Sequence, residues 1–368
     1  MPPRTALTHH LLFAALAAAC LVHTTRAADV KIGPASAAVL TPDSKTVIVA
    51  VPDEGAILYF DAETEKQVKK VELDFQPNAL AVQGKSLFAS TKGSGTIHVL
   101  DPETGKEARE IKIPGEPIRS LACHPTKGLL YATNRSNEVY AVDPGNGKVT
   151  KTKARGQMIV VDQSEGKFVY TGVQSPISDH LVVEEGPDNR VRVSLATANE
   201  RALMLKFAAE GADLKLVAYQ DNAALNGKAL ALSADGKRIA MAGGGGWVSR
   251  TDGRYNYGIA VFETSDLKTM AGEVGCGAYP YSVSFHPVLN MGVAVKGGND
   301  LIVFNGKSLA RKELIKAPRG EPGLILYAAQ GTKLVQLVNS GVDSVVSFHP
   351  LKLSEQDREI LKAAYRGK

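Results

Sequence analysis

The residues best suited to chemistry gather in two short stretches. Asp179, His180, Glu184 and Glu185 fall within one seven-residue segment. Carboxylates and an imidazole are metal ligands, and a metal held there would activate water or polarise an ester. Asp179, His180 and Glu184 would then serve a metal-assisted, lactonase-like hydrolase. The same residues precede Gly-Pro-Asp-Asn at 186–189, which separates two runs of alternating polarity. That pattern reads as a projecting hairpin, and a solvated hairpin explains the charges without a metal. The second stretch is GGGGWVSRTDGRYNYG at 243–258, with the only tryptophan of the chain. Trp247, Arg250, Arg254, Tyr255 and Tyr257 are the residue types that dominate binding hot spots. Tyr279, Pro280 and Tyr281 add aromatic surface shortly afterwards. The competing reading is a loop folded back on its own scaffold.

Other sought chemistry is missing. There is no Cys-x-x-Cys-His for haem and no Gly-x-Ser-x-Gly elbow. The four glycines at 243–246 lead to no Lys-Ser/Thr, so a phosphate loop is not expected. His98, His124, His180, His286 and His349 are isolated in sequence. Three of them stand in His-Pro pairs, at 124, 286 and 349. They read as one turn position, following a first strand, in three different repeats. Asp61, Asp101 and Asp143 recur in register and read as turn residues that cap their own loops. No catalytic residue and no cofactor is assigned.

The elements that must position these residues come from a repeat. LFASTKGSGTIHVLDPETGKEA (87–108) and LLYATNRSNEVYAVDPGNGKVT (129–150) share one pattern. Matching turns follow Phe60, Leu100, Val142, Phe262 and Phe304, at spacings of 40, 42, 120 and 42. The long gap holds two units with insertions, and its middle member is Phe207. Each unit has four runs of 4–8 residues, rich in Val, Ile, Tyr and Phe and bounded by Gly, Pro, Asn and Asp. The fourth run is the most polar, as in QVKKVELD and EAREIKI. Four strands in about 42 residues is a propeller blade. Seven units are expected, starting near Ala37, Asn78, Ile118, Met158, Ala229, Tyr281 and Gly323. The fold class is all-β, a seven-bladed β-propeller over 29–350.

The seventh unit lacks a fourth strand. ADVKIG at 28–33 is a spare one, predicted to close the ring by pairing into the last blade. Residues 351–368 are predicted to form a helical tail, with Ser354 and Asp357 as a capping-box-like start. Adjacent strands run in opposite directions. Loops between second and third strands therefore share a face with the loops between blades. The insertions at 175–194 and 243–258 are assigned to second–third loops of units 4 and 5. In unit 4, VRVSLATA competes for the place of second strand.

The unit at 115–149 resembles the bacterial YVTN-type propeller repeat, related in shape to WD40 propellers. Its hallmark run stands here as Tyr131-Ala132-Thr133-Asn134. Gly115-Glu116-Pro117, Gly277-Ala278-Tyr279-Pro280 and Gly320-Glu321-Pro322 partly keep the family's Gly-x-x-Pro link between blades. The resemblance covers roughly 29–350, departs from the pattern in units 4 and 5, and lacks the Trp-Asp signature of WD40 repeats. It implies a seven-bladed propeller and an exported protein. It implies little about function, which must be argued from a site.

The N-terminus agrees with export. Arg4, an apolar run at 11–22 and Thr25-Arg26-Ala27 read as a signal peptide over 1–28, too short to span a membrane. Ala17-Ala18-Ala19 before Cys20 is a poor lipoprotein site. Removing Arg4 and Arg26 lowers the formal charge from +5 to +3. That is too mild to argue for nucleic acid. Cys123 and Cys276 remain, in non-adjacent units, and read as two free thiols. The balance favours an exported, monomeric binding module over an enzyme. Its partner would be a protein or an envelope polymer, met on the face carrying both insertions.

Overall fold

The computed structural model describes residues 28–173, 179–185, 191–197, 201–244, 247–248, 255–277, 279–298 and 300–366. The expected leader lies outside them, apart from Ala28. Within the described residues, seven four-stranded antiparallel sheets follow one another as blades, with two additional two-stranded hairpins. The first strands begin at Ala37, Pro77, Ile118, Met158, Gly227, Ser282 and Glu321, within two residues of the expected positions.

Burial explains the four kinds of run. The second and third strands of blade 1, Thr46–Val51 and Ala56–Asp61, are buried along almost their whole length. Neighbouring blades cover both faces, so these runs are continuously apolar rather than alternating. The fourth strand, Lys66–Glu72, lies on the rim and is largely exposed. Charged residues there also discourage edge-to-edge pairing.

The ring closes through the N-terminus. Ala28–Ile32 pairs antiparallel with Ser344–Pro350, from Ala28 opposite Phe348 to Ile32 opposite Ser344. Ser347 Oγ donates to Asp29 Oδ1 at 2.6 Å, and the Ala35 amide donates to Ser344 Oγ at 2.8 Å. Ile32 joins an apolar cluster shared by blades 1 and 7, where Phe60 meets Phe348. The first blade of the sequence is thus locked to the last.

Polar side chains fix the turns. Asp61 Oδ1 accepts from the Glu63 and Thr64 amides, and Asp101 does the same with Glu103 and Thr104. Asp143 and Asn305 repeat the device. His124 and His286 play the same part after first strands. Each Nδ1 accepts from the amides two and three residues on. His286 Nε2 then reaches Gly331 O of the next blade at 3.0 Å. Gly331 is left-handed and has no room for a Cβ, which would lie 2.5 Å from that ring nitrogen. Gly166 offers His124 the same cradle in blade 4. His286 therefore stitches blade 6 to 7, whereas His124 packs on Gly166 of blade 4 and its Nε2 makes no hydrogen bond there.

His349 does not share that position. It lies in Ser344–Pro350, the third strand of blade 7, and pairs across to Leu334. The first strand of that blade is Glu321–Ala328, so SVVSFHP matches SVSFHP of blade 6 in letters but not in place. His349 lies just beyond the last residue paired with the N-terminal strand, Phe348, and is buried.

In blade 4 the third strand is Arg201–Glu210, and Val191–Thr197 pairs with Asp179–Glu185 in a separate hairpin. VRVSLATA is therefore not a blade strand. The YVTN-like run also has a physical reading. Tyr131 Oη donates to Gly211 O and Thr133 Oγ1 to Gln157 O, both in blade 4 or its approach. Asn134 closes the following turn by accepting from the Glu138 amide. The C-terminal helix, Glu355–Tyr365, starts with the expected capping box at Ser354 and Asp357. Leu361 and Tyr365 bury it against Leu289, Met291 and Leu351, on the face opposite the insertions. Cys123 and Cys276 are free, and burial pushes both thiols up to about 12.

Candidate ligand-binding face

Blade geometry brings both insertions to one face. The hairpin of Asp179–Glu185 and Val191–Thr197 sits between the second and third strands of blade 4. Trp247–Val248 pairs with Tyr255–Asn256 between the second and third strands of blade 5. On the same face, a cavity of about 790 Å³ opens where the first strands of blades 5, 6 and 7 begin.

Its walls come from loops between blades. Tyr279 and Tyr281 precede the first strand of blade 6, with ring centroids 6.3 Å apart and planes within 15°. Tyr279 has φ 59° and is 55% exposed. A bulky side chain in the left-handed region costs about 1–2 kcal/mol, so burial of this ring does not repay the backbone. Gly244, where the blade 5 insertion starts, lies against Tyr281, and a Cβ there would meet its ring at 3.5 Å. Gly297, Gly298 and Gly320 keep the far wall low. In blade 7 the register passes from Pro322 to Ile325, so Gly323 and Leu324 bulge opposite Leu337. Such bulges interrupt the ladder and leave main-chain groups to other partners.

The charges of the cavity are Lys228, from blade 5, and Glu321, from blade 7. Neither has an ion-pair partner among the described residues. Farther round the ring, burial and the neighbouring Arg135 charge hold Arg119 below the usual guanidinium range. By contrast, Lys92 pairs with Asp53, and Lys316 with Asp300.

Of the aromatic and basic residues singled out in the sequence, Tyr279 lines the cavity and Tyr257 is exposed beside the short hairpin. Trp247 and Tyr255 are placed as strand residues only. Arg250 and Arg254 lie outside the described residues. Tyr281 was named only as an extension of the patch, and here it carries the stack. Lys228, Glu321 and the Gly323–Leu324 bulge were missed. Their one signal is position at the mouth of inner strands, which needs the blade boundaries. For the acidic hairpin, Asp179, His180 and Glu184 are placed as strand residues only. Arg192 stands opposite Glu184 in register. Among the described residues, no group of three His, Cys, Asp or Glu side chains could hold a metal.

One network has the form of a catalytic relay. His98 Nε2 lies 2.9 Å from Thr91 Oγ1, and its Nδ1 lies 2.9 Å from Glu107 Oε2. The three residues stand on three strands of blade 2, so sequence spacing hid them. Phe75 covers the imidazole face at 3.6 Å, and His98 is 7% exposed. The network clamps the blade under an aromatic lid.

Comparisons with known proteins support the fold. A family model described as glutamine cyclotransferase matches residues 40–183, less than half the chain. The WD repeat-containing protein 55 homolog of Drosophila ananassae is 25% identical over 186 residues. That match covers 41% of this chain and 38% of the relative, so the chain spans about two fifths of that relative's length. The WD40 domain of Neurospora crassa Pan2 superposes with a TM-score of 0.64 at 11% identity, covering 88% of this chain and 91% of that one. The fold is a WD40-like seven-bladed propeller. No helix among the described residues is long and apolar enough to cross a membrane.

Proposed function

We propose that the protein is an exported binding module, acting as a monomer, that takes a protein or envelope polymer on the face carrying both insertions. The observation that carries this reading is the cavity with its exposed, strained Tyr279, beside the start of the blade 5 insertion. Loops held by a rigid ring are the usual place for binding. Aromatic rings supply contact area at low entropic cost. Trp247, Arg250, Arg254, Tyr255 and Tyr257 would extend the contact beyond the cavity. Export rests on the leader-like residues 1–28, and the YVTN-type affinity rests on residues 131–134 and the blade links. The test is capture from envelope and secreted extracts by the mature protein, beside a folded variant whose 243–258 loop is a short glycine turn. A partner held by the parent and lost by the variant supports the reading. Identical capture by both, or none by either, overturns it.

The cyclotransferase match favours a second reading, an enzyme using the same face. The reaction named would close an N-terminal glutamine by attack of its amine on the side-chain amide, releasing ammonia. Incubation with a glutamine-initiated peptide, read by ammonia release, decides it. No ammonia above the uncatalysed rate rejects this reading.

A further inference from the structure

We propose that the cavity takes a short extended peptide whose acidic residue meets Lys228, whose basic residue meets Glu321, and whose ring between them lies on Tyr279. This rests on the binding reading above and names the ligand class of that site. Four observations converge on it. Blade 6 stands between blades 5 and 7, so the two charges flank the tyrosine pair rather than face each other directly. Each lacks an ion-pair partner among the described residues, although the nearby Asp300 carboxylate takes two lysines. The Gly323–Leu324 bulge interrupts the ladder on the Glu321 side, leaving main-chain groups for a peptide backbone. Tyr279 keeps a left-handed backbone while its ring stays in solvent, which suits a preformed stacking platform. A neutral glycan would use the tyrosines but would leave both charges unanswered.

The probes are two blocked pentapeptides, Glu-Gly-Tyr-Gly-Arg and its reverse order, titrated calorimetrically into the protein. Companion peptides carry Gln for either charge or Gly for Tyr, and an N-acetylglucosamine tetramer serves as the glycan. One peptide order should bind. Lys228→Gln should weaken it about twofold to fivefold, as expected for one exposed ion pair. The peptide with Gln for Glu should show no further loss in that variant. Glu321→Gln should behave in the same way toward the peptide lacking Arg. Tyr279→Gly should abolish binding while raising the melting temperature, because glycine relieves the backbone; this variant guards against loss by misfolding. Binding by neither peptide, equal binding by the tetramer, or charge variants with no matched loss would overturn the proposal. A partner captured through the 243–258 loop but indifferent to Lys228→Gln and Glu321→Gln would also overturn it. That last result would leave the binding reading standing.

Discussion

His286→Asn should remove a pH dependence from the stability of the ring. His286 is fully buried, and burial lowers its imidazole from 6.5 to about 4. Between those values the unfolded chain takes up a proton that the folded chain refuses. Stability is therefore complete above pH 6.5 and falls as the pH drops toward 4. The gap corresponds to roughly 3 kcal/mol in total, and a little under that by pH 4.5. A fold of this length unfolds with an entropy near 0.7 kcal/mol/K, so the loss is worth about 4 °C. Asparagine is the apt replacement. Asn305 already accepts from the amides two and three residues on, as His286 Nδ1 does. The variant keeps that turn but gives up the bond to Gly331 O. It should be less stable at neutral pH by about 1–3 kcal/mol. Melting curves at pH 7.5 and 4.5, followed by circular dichroism, measure both effects. The parent should fall about 4 °C further than the variant, so the two converge in acid. Equal falls, or a steeper fall in the variant, would refute the assignment of His286 as a neutral stitch.

Two other outcomes follow from the same geometry. Gly292→Ala would set a Cβ 2.1 Å from Phe304 Cζ inside blade 6, and should cost about 1–3 kcal/mol by overpacking; a urea midpoint equal to the parent's would show that the ring simply moves. Deleting residues 28–32 removes the fourth strand of blade 7. The melt should broaden and move down, and adding a peptide of residues 28–33 should restore it; an unchanged melt would mean that closure adds no stability.

The repeat was legible because each strand reports its own surroundings. Runs such as AILYFD and LIVFN are apolar up to their last residue because blades cover both sides of them. The turn aspartates were legible because a short side chain reaches only its own loop. The site was less so. Tyr279 could be singled out by type, yet its left-handed backbone has no signature beyond the neighbouring Gly277 and Pro280. Lys228 and Glu321 are 93 residues apart and look like ordinary surface charges. The His98 network joins three strands that only pairing brings together. His349 misled for a related reason. A His-Pro pair has one sequence form, but its role depends on which strand of the blade it ends.

By itself the sequence determined the number of blades, the closing strand, the helix cap and the places of the two insertions. These follow from local periodicity and turn chemistry, which each segment carries alone. Only the tertiary structure decided which loops meet around the cavity, which charges stay unpaired and which histidine stitches neighbouring blades. Those depend on ring closure, which sets side by side residues that the chain keeps far apart.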